Sequence, residues 1–122
     1  MMQWMAPAAG TEADAWETLT AALRLQGVSA GQRWTAPAGV PALSGVMEHV
    51  SQRPCNALLR LDKPGPGTAA LGAVNFGGQS MVTLSFYFYG DQAAGTVARE
   101  TPLWQAWIQE RFPMPPEASK SE

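Results

Sequence analysis

The stretch MVTLSFYFY, residues 81–89, carries the clearest structural signal in the chain. Apolar side chains alternate in it with side chains that carry a hydroxyl group, which is the period of a β-strand with one face in a core. The apolar positions are Val82, Leu84, Phe86 and Phe88, and the other face carries Thr83, Ser85, Tyr87 and Tyr89. The second face holds no charged group, so we expect it to be only partly exposed to solvent.

Shorter runs before this strand also have the composition or the period of strands. They cover residues 33–35, at an edge, and residues 44–51, 55–62 and 69–76. The KPGPG segment at 63–67 and the Gly77-Gly78 pair have the composition of turns. Together these runs predict an antiparallel sheet of four to five strands.

A helix is predicted before the sheet, over residues 12–26. Thr11 is a good N-cap, and Asp14 three residues later completes a capping-box pattern. Its apolar face consists of Trp16, Leu19 and Leu23. Gly27 is a typical residue at a helix end.

A second helical region follows the sheet, from Asp91 to Phe112. Pro102 would cost about 3 kcal/mol in a helix interior but little in a first turn, where Thr101 could act as the N-cap. We therefore expect either a kink at 101–102 or a short helix followed by a longer one. The wide apolar face of this region consists of Trp104, Trp107, Ile108 and Phe112.

These elements predict a single α+β domain over residues 11–112, with the sheet covered on one face by two helices. Residues 1–10 are mostly small and include a proline, and we expect a disordered lead-in there. Residues 113–122 begin with several prolines, and we expect a disordered tail.

The composition excludes several classes of protein. The chain has 122 residues, a formal charge of −2 and 15% charged residues, against about 25% in an average domain. Its apolar runs are far shorter than the roughly 20 residues of a membrane span. An acidic chain with two lysines is a poor nucleic-acid binder. No secretory signal is legible and the single cysteine cannot form an internal disulfide, so we expect a cytoplasmic protein.

Two residues could carry chemistry, but neither forms a recognisable catalytic motif. His49 is the only histidine, and a histidine on a strand surface is the commoner interpretation. Cys55 opens a strand on its apolar face, where free cysteine usually acts as a small buried hydrophobe. One histidine and one cysteine do not supply the three or four ligands of a metal site. We predict no catalytic residue, no metal and no cofactor.

The aromatic residues admit two interpretations. They form a packed core, which is the commoner outcome, or the helix tryptophans lie over small residues of the sheet and frame an apolar ligand pocket. The candidate ligand-binding residues are Ala73, Phe86, Tyr87, Trp104 and Trp107.

The region from Leu43 to Phe112 resembles the C-terminal half of a START-like domain, also called Bet v 1-like or SRPBCC, which has a helix-grip fold. The matching segments are LSGVMEHV, CNALLRLD, KPGPGTAALGAV, MVTLSFYFYGD and LWQAWIQERF. The preceding GQRWTAP is similar to a strand of the bacterial activator-of-chaperone-ATPase-like branch. The family's first strand and paired short helices are not visible before Thr11. The resemblance implies that a small apolar molecule binds between the sheet and the C-terminal helix.

We therefore expect a non-enzymatic, START-like module that binds a small hydrophobic molecule. The alternative is a protein-interaction or chaperone-accessory domain with a flat apolar surface, and an enzyme of the cyclase or hydrolase type comes third. An incomplete sheet leaves an open edge, so we also expect a homodimer. Trp4, Trp16 or Trp34 would be its anchors, because aromatic residues dominate interface energetics.

Overall fold

The computed structural model describes residues 1–112, which form six strands and two helices. In chain order these are β1 (Met2–Pro7), α1 (Glu12–Leu23), β2 (Arg33–Thr35), β3 (Ser44–Gln52), β4 (Cys55–Lys63), β5 (Gly67–Phe76), β6 (Gln79–Phe88) and α2 (Ala93–Arg111). The tail predicted at 113–122 lies outside the described residues. Neither helix of the described part combines the length and apolar character that crossing a membrane requires.

The strands form one antiparallel sheet in the order β1-β6-β5-β4-β3-β2. Strands β2 to β6 are neighbours in chain order, and β1 returns to pair with the free side of β6. The predicted α+β class, with an antiparallel sheet and two helices, is confirmed. The predicted number of four to five strands is too low.

The additional strand is β1, and the prediction of a disordered lead-in over residues 1–10 is wrong for the residues of this strand. β1 pairs with β6 along its whole length, beginning with Met2 opposite Phe86. Met2 and Ala6 are buried, and Trp4 lies edge-on to the Phe86 ring. Burial therefore alternates along β1, but the sequence shows this period weakly, because Met5 on the outer face is apolar as well. Alanine, proline and methionine are not strong strand formers, so composition concealed it.

The cap of α1 forms as the sequence predicts. The Thr11 hydroxyl accepts a hydrogen bond from the Asp14 N–H at 3.1 Å, and the Asp14 carboxylate accepts one from the Thr11 N–H at 2.9 Å. Hydrogen bonding to the Asp14 carboxylate, first from the Thr11 N–H and second from the Thr11 side chain, holds the pKa of Asp14 below its ordinary value. The helix ends at Leu23, three residues before the predicted end, because Arg24 is left-handed with φ 55° and its N–H bonds back to Ala21.

Helix α2 runs without interruption across Pro102, so the alternative of two successive helices is wrong. Pro102 lies on the exposed side of the helix, where its missing N–H leaves the Ala98 carbonyl without its helical partner. Thr101 does not cap a new helix; its hydroxyl donates to the Val97 carbonyl at 2.7 Å. The loss of one hydrogen bond is tolerated because both residues of the broken pair face water.

Both helices pack on the same face of the sheet, called the inner face below. The inward direction predicted for the apolar side of β6 is confirmed, since Phe86 is fully buried and Phe88 is 7% exposed. The opposite, outer face carries no helix among the described elements, and Tyr87 on it is 55% exposed. The core therefore lies between one face of the sheet and the two helices.

Candidate ligand-binding site

An aromatic layer joins α2 to the inner face of β6. The rings of Phe86 and Trp104 have centroids 4.8 Å apart, and Trp107 lies edge-on to Trp104 at 5.4 Å. Trp4 of β1 extends the layer on the other side of Phe86, at 6.2 Å. Helical spacing produces this arrangement, because Trp104 and Trp107 are three residues apart and share one side of α2.

Three of the five predicted site residues meet in this layer, namely Phe86, Trp104 and Trp107. Ala73 shares the inner face but pairs with Val82, four residues from the Phe86 position and therefore about 13 Å away along the sheet. The small residue beside Phe86 is Ala69. Sequence alone could not distinguish the two alanines, because their positions depend on strand register.

Tyr87 is the wrong member of the predicted set. Successive side chains of a strand point to opposite faces, so Tyr87 is directed away from α2. Its ring lies on the outer face, edge-on to Tyr89 with a centroid distance of 5.5 Å. Tyr87 therefore cannot line a site that contains Trp104.

The aromatic layer is closely packed. Phe86 and Trp104 have no exposed surface, and Trp107 is 4% exposed. A void able to hold a water molecule would leave exposed area on the rings that line it. A ligand can therefore enter between α2 and β6 only if the helix moves outward. Whether these residues contact a ligand stays a prediction.

The inner side of α2 also holds three polar atoms that are buried without a hydrogen-bond partner. They are Oε1 of Glu100, Nε1 of Trp104 and Nε1 of Trp107. Glu100 is 8% exposed, and its desolvation raises the pKa of its carboxyl group, an effect that the positive charge of Arg99 partly opposes. The site thus combines apolar rings with two unpaired N–H donors and one unpaired carboxyl oxygen.

Glu100 is the residue that the sequence analysis missed. A signal was present, because Glu100 stands four residues before Trp104 and seven before Trp107, which places it on the same helix face. A glutamate within an apolar helix stripe is usually an exposed residue at its border. Only the packed structure shows that this one is buried.

The two candidate catalytic residues are not brought together. Cys55 lies on the inner face, where burial first and the charge of Glu12 second raise the pKa of its thiol. Its Sγ donates to the Gln52 carbonyl at 3.3 Å. His49 pairs with Leu58, whose side chain belongs to the outer face. A protonated thiol on one face and an imidazole on the other do not form a nucleophile–base pair.

Comparison with family models finds no match, and comparison with curated proteins finds no significant one. Solved structures do match. The solution structure of the Aha1 dimer from Colwellia psychrerythraea is similar with a TM-score of 0.65 and 7% identity, over 91% of this chain and 92% of that one. The crystal structure of DynU16, a protein in the dynemicin biosynthetic locus, is similar with a TM-score of 0.65 and 15% identity.

The fold is a helix-grip fold. The match to DynU16 covers 98% of this chain but 47% of that protein, so this chain spans about half of its length. At 7% and 15% identity, both likenesses concern the fold alone. They agree with the START-like resemblance in its architecture, and β1 supplies the first strand that was not visible in the sequence.

Proposed function

We propose that this protein is a non-enzymatic, cytoplasmic binding module for a small hydrophobic molecule with a polar group, held between the inner face of the sheet and α2. The observation that carries the proposal is the set of three unpaired polar atoms, of Glu100, Trp104 and Trp107, within an apolar layer. The fold that this chain shares with DynU16 and Aha1 is compatible with such a role.

Burial of these three polar atoms without hydrogen bonds is costly. An unsatisfied buried donor or acceptor costs about 1–3 kcal/mol. A ligand oxygen that accepts from one indole N–H recovers part of that cost, and a ligand hydroxyl can also donate to the Glu100 oxygen. The Phe86 and Trp104 rings would then contact the apolar body of the ligand.

Opening the site requires α2 to move, and the helix has a weak point where it would bend. Pro102, two residues after Glu100 and two before Trp104, removes the hydrogen bond to the Ala98 carbonyl. We propose that the second half of α2, which carries both tryptophans, swings outward about this point when a ligand enters.

The test is a titration with two probes, 1-naphthol as a flat aromatic alcohol and farnesol as an isoprenoid alcohol. The intrinsic tryptophan fluorescence of the protein should change saturably, with a dissociation constant below about 1 mM. Trp107→Phe removes one N–H donor and should weaken binding. Leu103→Ala is the matched control, because Leu103 lies on the same helix but is 52% exposed. Absence of saturable binding by either probe would overturn the proposal.

A second candidate function is association through the outer face and the β1 edge, first of all as a homodimer. β1 is an edge strand with one unpaired side in the described chain. Beside it, the outer face exposes Met5, 51% accessible, together with Tyr87 and Tyr89. The related fold of Aha1 was solved as a dimer. A protein-interaction or chaperone-accessory domain would use the same surface for a different protein.

The predicted dimer anchors need correction. Trp16 and Trp34 are 3% and 4% exposed, and the Trp34 indole donates to the Leu23 carbonyl at 2.9 Å. Both are core residues because each faces inward from its element. Trp4 is half-buried and also points to the inner face, where its ring lies edge-on to Phe86, so Met5 and Tyr87 remain as the anchors of the proposed interface.

Light scattering after size exclusion decides between monomer and dimer. A mass of twice 13.0 kDa that falls to 13.0 kDa in Tyr87→Lys supports the outer-face dimer. A wild-type mass of 13.0 kDa at tens of micromolar protein contradicts it.

A further inference from the structure

A concavity lies on the inner face at β3 and β4, toward the opposite end of the strand order from the site between α2 and β6. It lies between α1, the loop after α1 and the turn end of the β3–β4 hairpin. Its volume is about 420 Å³. This volume is within the range of small-molecule sites. The concavity is called the α1 cleft below, and its floor consists of Trp16, Met47, Val50 and Ala57.

Strand lengths explain why the α1 cleft is open. β2 has three residues and pairs with β3 only as far as Val46. β3 continues to Gln52, so the part of β3 that follows Met47 has no neighbouring strand on the β2 side among the described elements. Helix α1 packs over β4, β5 and β6 and does not cover β3. The side chain of Val50, which points inward and lies beside Ala57 of β4, is therefore left partly exposed.

The lining of the α1 cleft divides into an apolar floor and a polar mouth. Trp16, Met47 and Ala57 are each at least nine-tenths buried, so the core holds them firmly in place, and Val50 is the accessible apolar side chain of the floor. The mouth carries the side chains of Glu17, Gln26 and Gln52. The lining residues of the described chain include one carboxylate, that of Glu17, and no basic side chain.

We propose that the α1 cleft binds a small molecule with a flat apolar ring and a neutral or positively charged polar head. The ring would lie on Val50, which is 36% exposed, and against the small accessible edges of Trp16 and Ala57, and the head would face Glu17 and the glutamine amides at the mouth. A carboxylate head is disfavoured, because it would meet the negative charge of Glu17 with no cation in the lining to balance it. This site is separate from the one proposed under α2, and neither requires the other.

Three probes with one ring and different heads test the proposal. They are 1-naphthylmethylamine, 1-naphthylmethanol and 1-naphthylacetate. The protein is labelled with 5-fluorotryptophan, so that its five tryptophans give separate fluorine resonances. The resonances are assigned with single Trp→Phe variants. The amine and the alcohol should shift the Trp16 resonance saturably, and the amine should bind about threefold more tightly than the carboxylate.

Two variants of α1 provide the matched control. Ala13 lines the α1 cleft, and Ala21 on the same helix does not; both are exposed, so phenylalanine at either position leaves the core intact. Ala13→Phe should fill the mouth and weaken probe binding by at least about tenfold, while Ala21→Phe should leave it unchanged. Glu17→Gln should abolish the preference for the amine over the carboxylate.

The proposal is overturned if none of the three probes moves the Trp16 resonance at 1 mM, a concentration that corresponds to about −4 kcal/mol. It is equally overturned if Ala13→Phe binds the amine as tightly as wild type. Shifts confined to Trp104 and Trp107 would support the site under α2 and contradict the α1 cleft. Shifts confined to Trp16 would support the α1 cleft and contradict binding of these probes under α2.

Discussion

Replacing Phe86 by alanine should remove the centre of the aromatic layer. The side chain is fully buried and contacts Trp4 at 6.2 Å and Trp104 at 4.8 Å between ring centroids. Truncation of a buried phenylalanine lowers the free energy of unfolding by about 3–5 kcal/mol, because apolar surface is lost and a cavity remains. With a urea m value of about 1.5 kcal/mol per molar, the midpoint should fall by about 2–3 M.

Phe76→Ala is the matched control for this substitution. Phe76 lies at the end of β5 and is 70% exposed, so the same change should alter the free energy of unfolding by less than about 0.5 kcal/mol. Tyr87→Ala, next to Phe86 but on the outer face, should cost about 1 kcal/mol through its edge-on contact with Tyr89.

Urea titrations followed by far-ultraviolet circular dichroism measure all three variants. If Phe86→Ala is unfolded in buffer, Phe86→Leu keeps most of the volume and should cost less than about 1.5 kcal/mol. Equal losses for Phe86→Ala and Tyr87→Ala would show that both faces of β6 are buried, and would refute the placement of the core on one face.

Two further predictions concern Glu100 and Gly45. The folded protein binds the Glu100 proton more tightly than the unfolded chain, because burial raises the pKa of this carboxyl above the ordinary 4.5. The free energy of unfolding of wild type should therefore fall relative to that of Glu100→Gln as the pH rises above 4.5. Urea titrations at about pH 4 and about pH 7.5 measure this difference, and parallel profiles would contradict the burial of Glu100. A Cβ atom at Gly45 would lie 2.1 Å from the carbonyl oxygen of Arg60 on the paired strand, so Gly45→Ala should lower the free energy of unfolding by about 1–3 kcal/mol. Gly95→Ala, whose Cβ would meet only the flexible end of Arg99, should raise it by about 0.5–1 kcal/mol as helix propensity improves; equal midpoints for the two variants would show that the β3–β4 register is wrong.

Periodic patterns made much of the fold predictable. The alternation in residues 81–89 identifies β6 and its buried side, and Thr11 with Asp14 identifies the start of α1. β1 was missed because its residues are apolar on both faces apart from Gln3, and because its partner β6 is nearly 80 residues away in the sequence. Long-range pairing of this kind leaves little trace in local composition.

The candidate site was predictable only in part. Helical spacing brings Trp104 and Trp107 together, and the inward side of β6 supplies Phe86. The choice between Ala69 and Ala73 depends on strand register, and the burial of Glu100 depends on how α2 lies on the sheet. The α1 cleft follows from the shortness of β2 relative to β3, which a single sequence does not show.

The most direct test of ligand binding under α2 is the spectrum of the indole N–H groups in ¹⁵N-labelled protein, recorded with and without saturating 1-naphthol. The Trp104 and Trp107 N–H groups lack partners in the free protein, whereas the Trp34 N–H already donates to the Leu23 carbonyl. A ligand that accepts from the unpaired groups should move the proton resonance of Trp104, Trp107 or both downfield, and that of Trp34 should stay in place. If the Trp104 and Trp107 resonances stay where they are at saturation, no ligand is held between the sheet and α2.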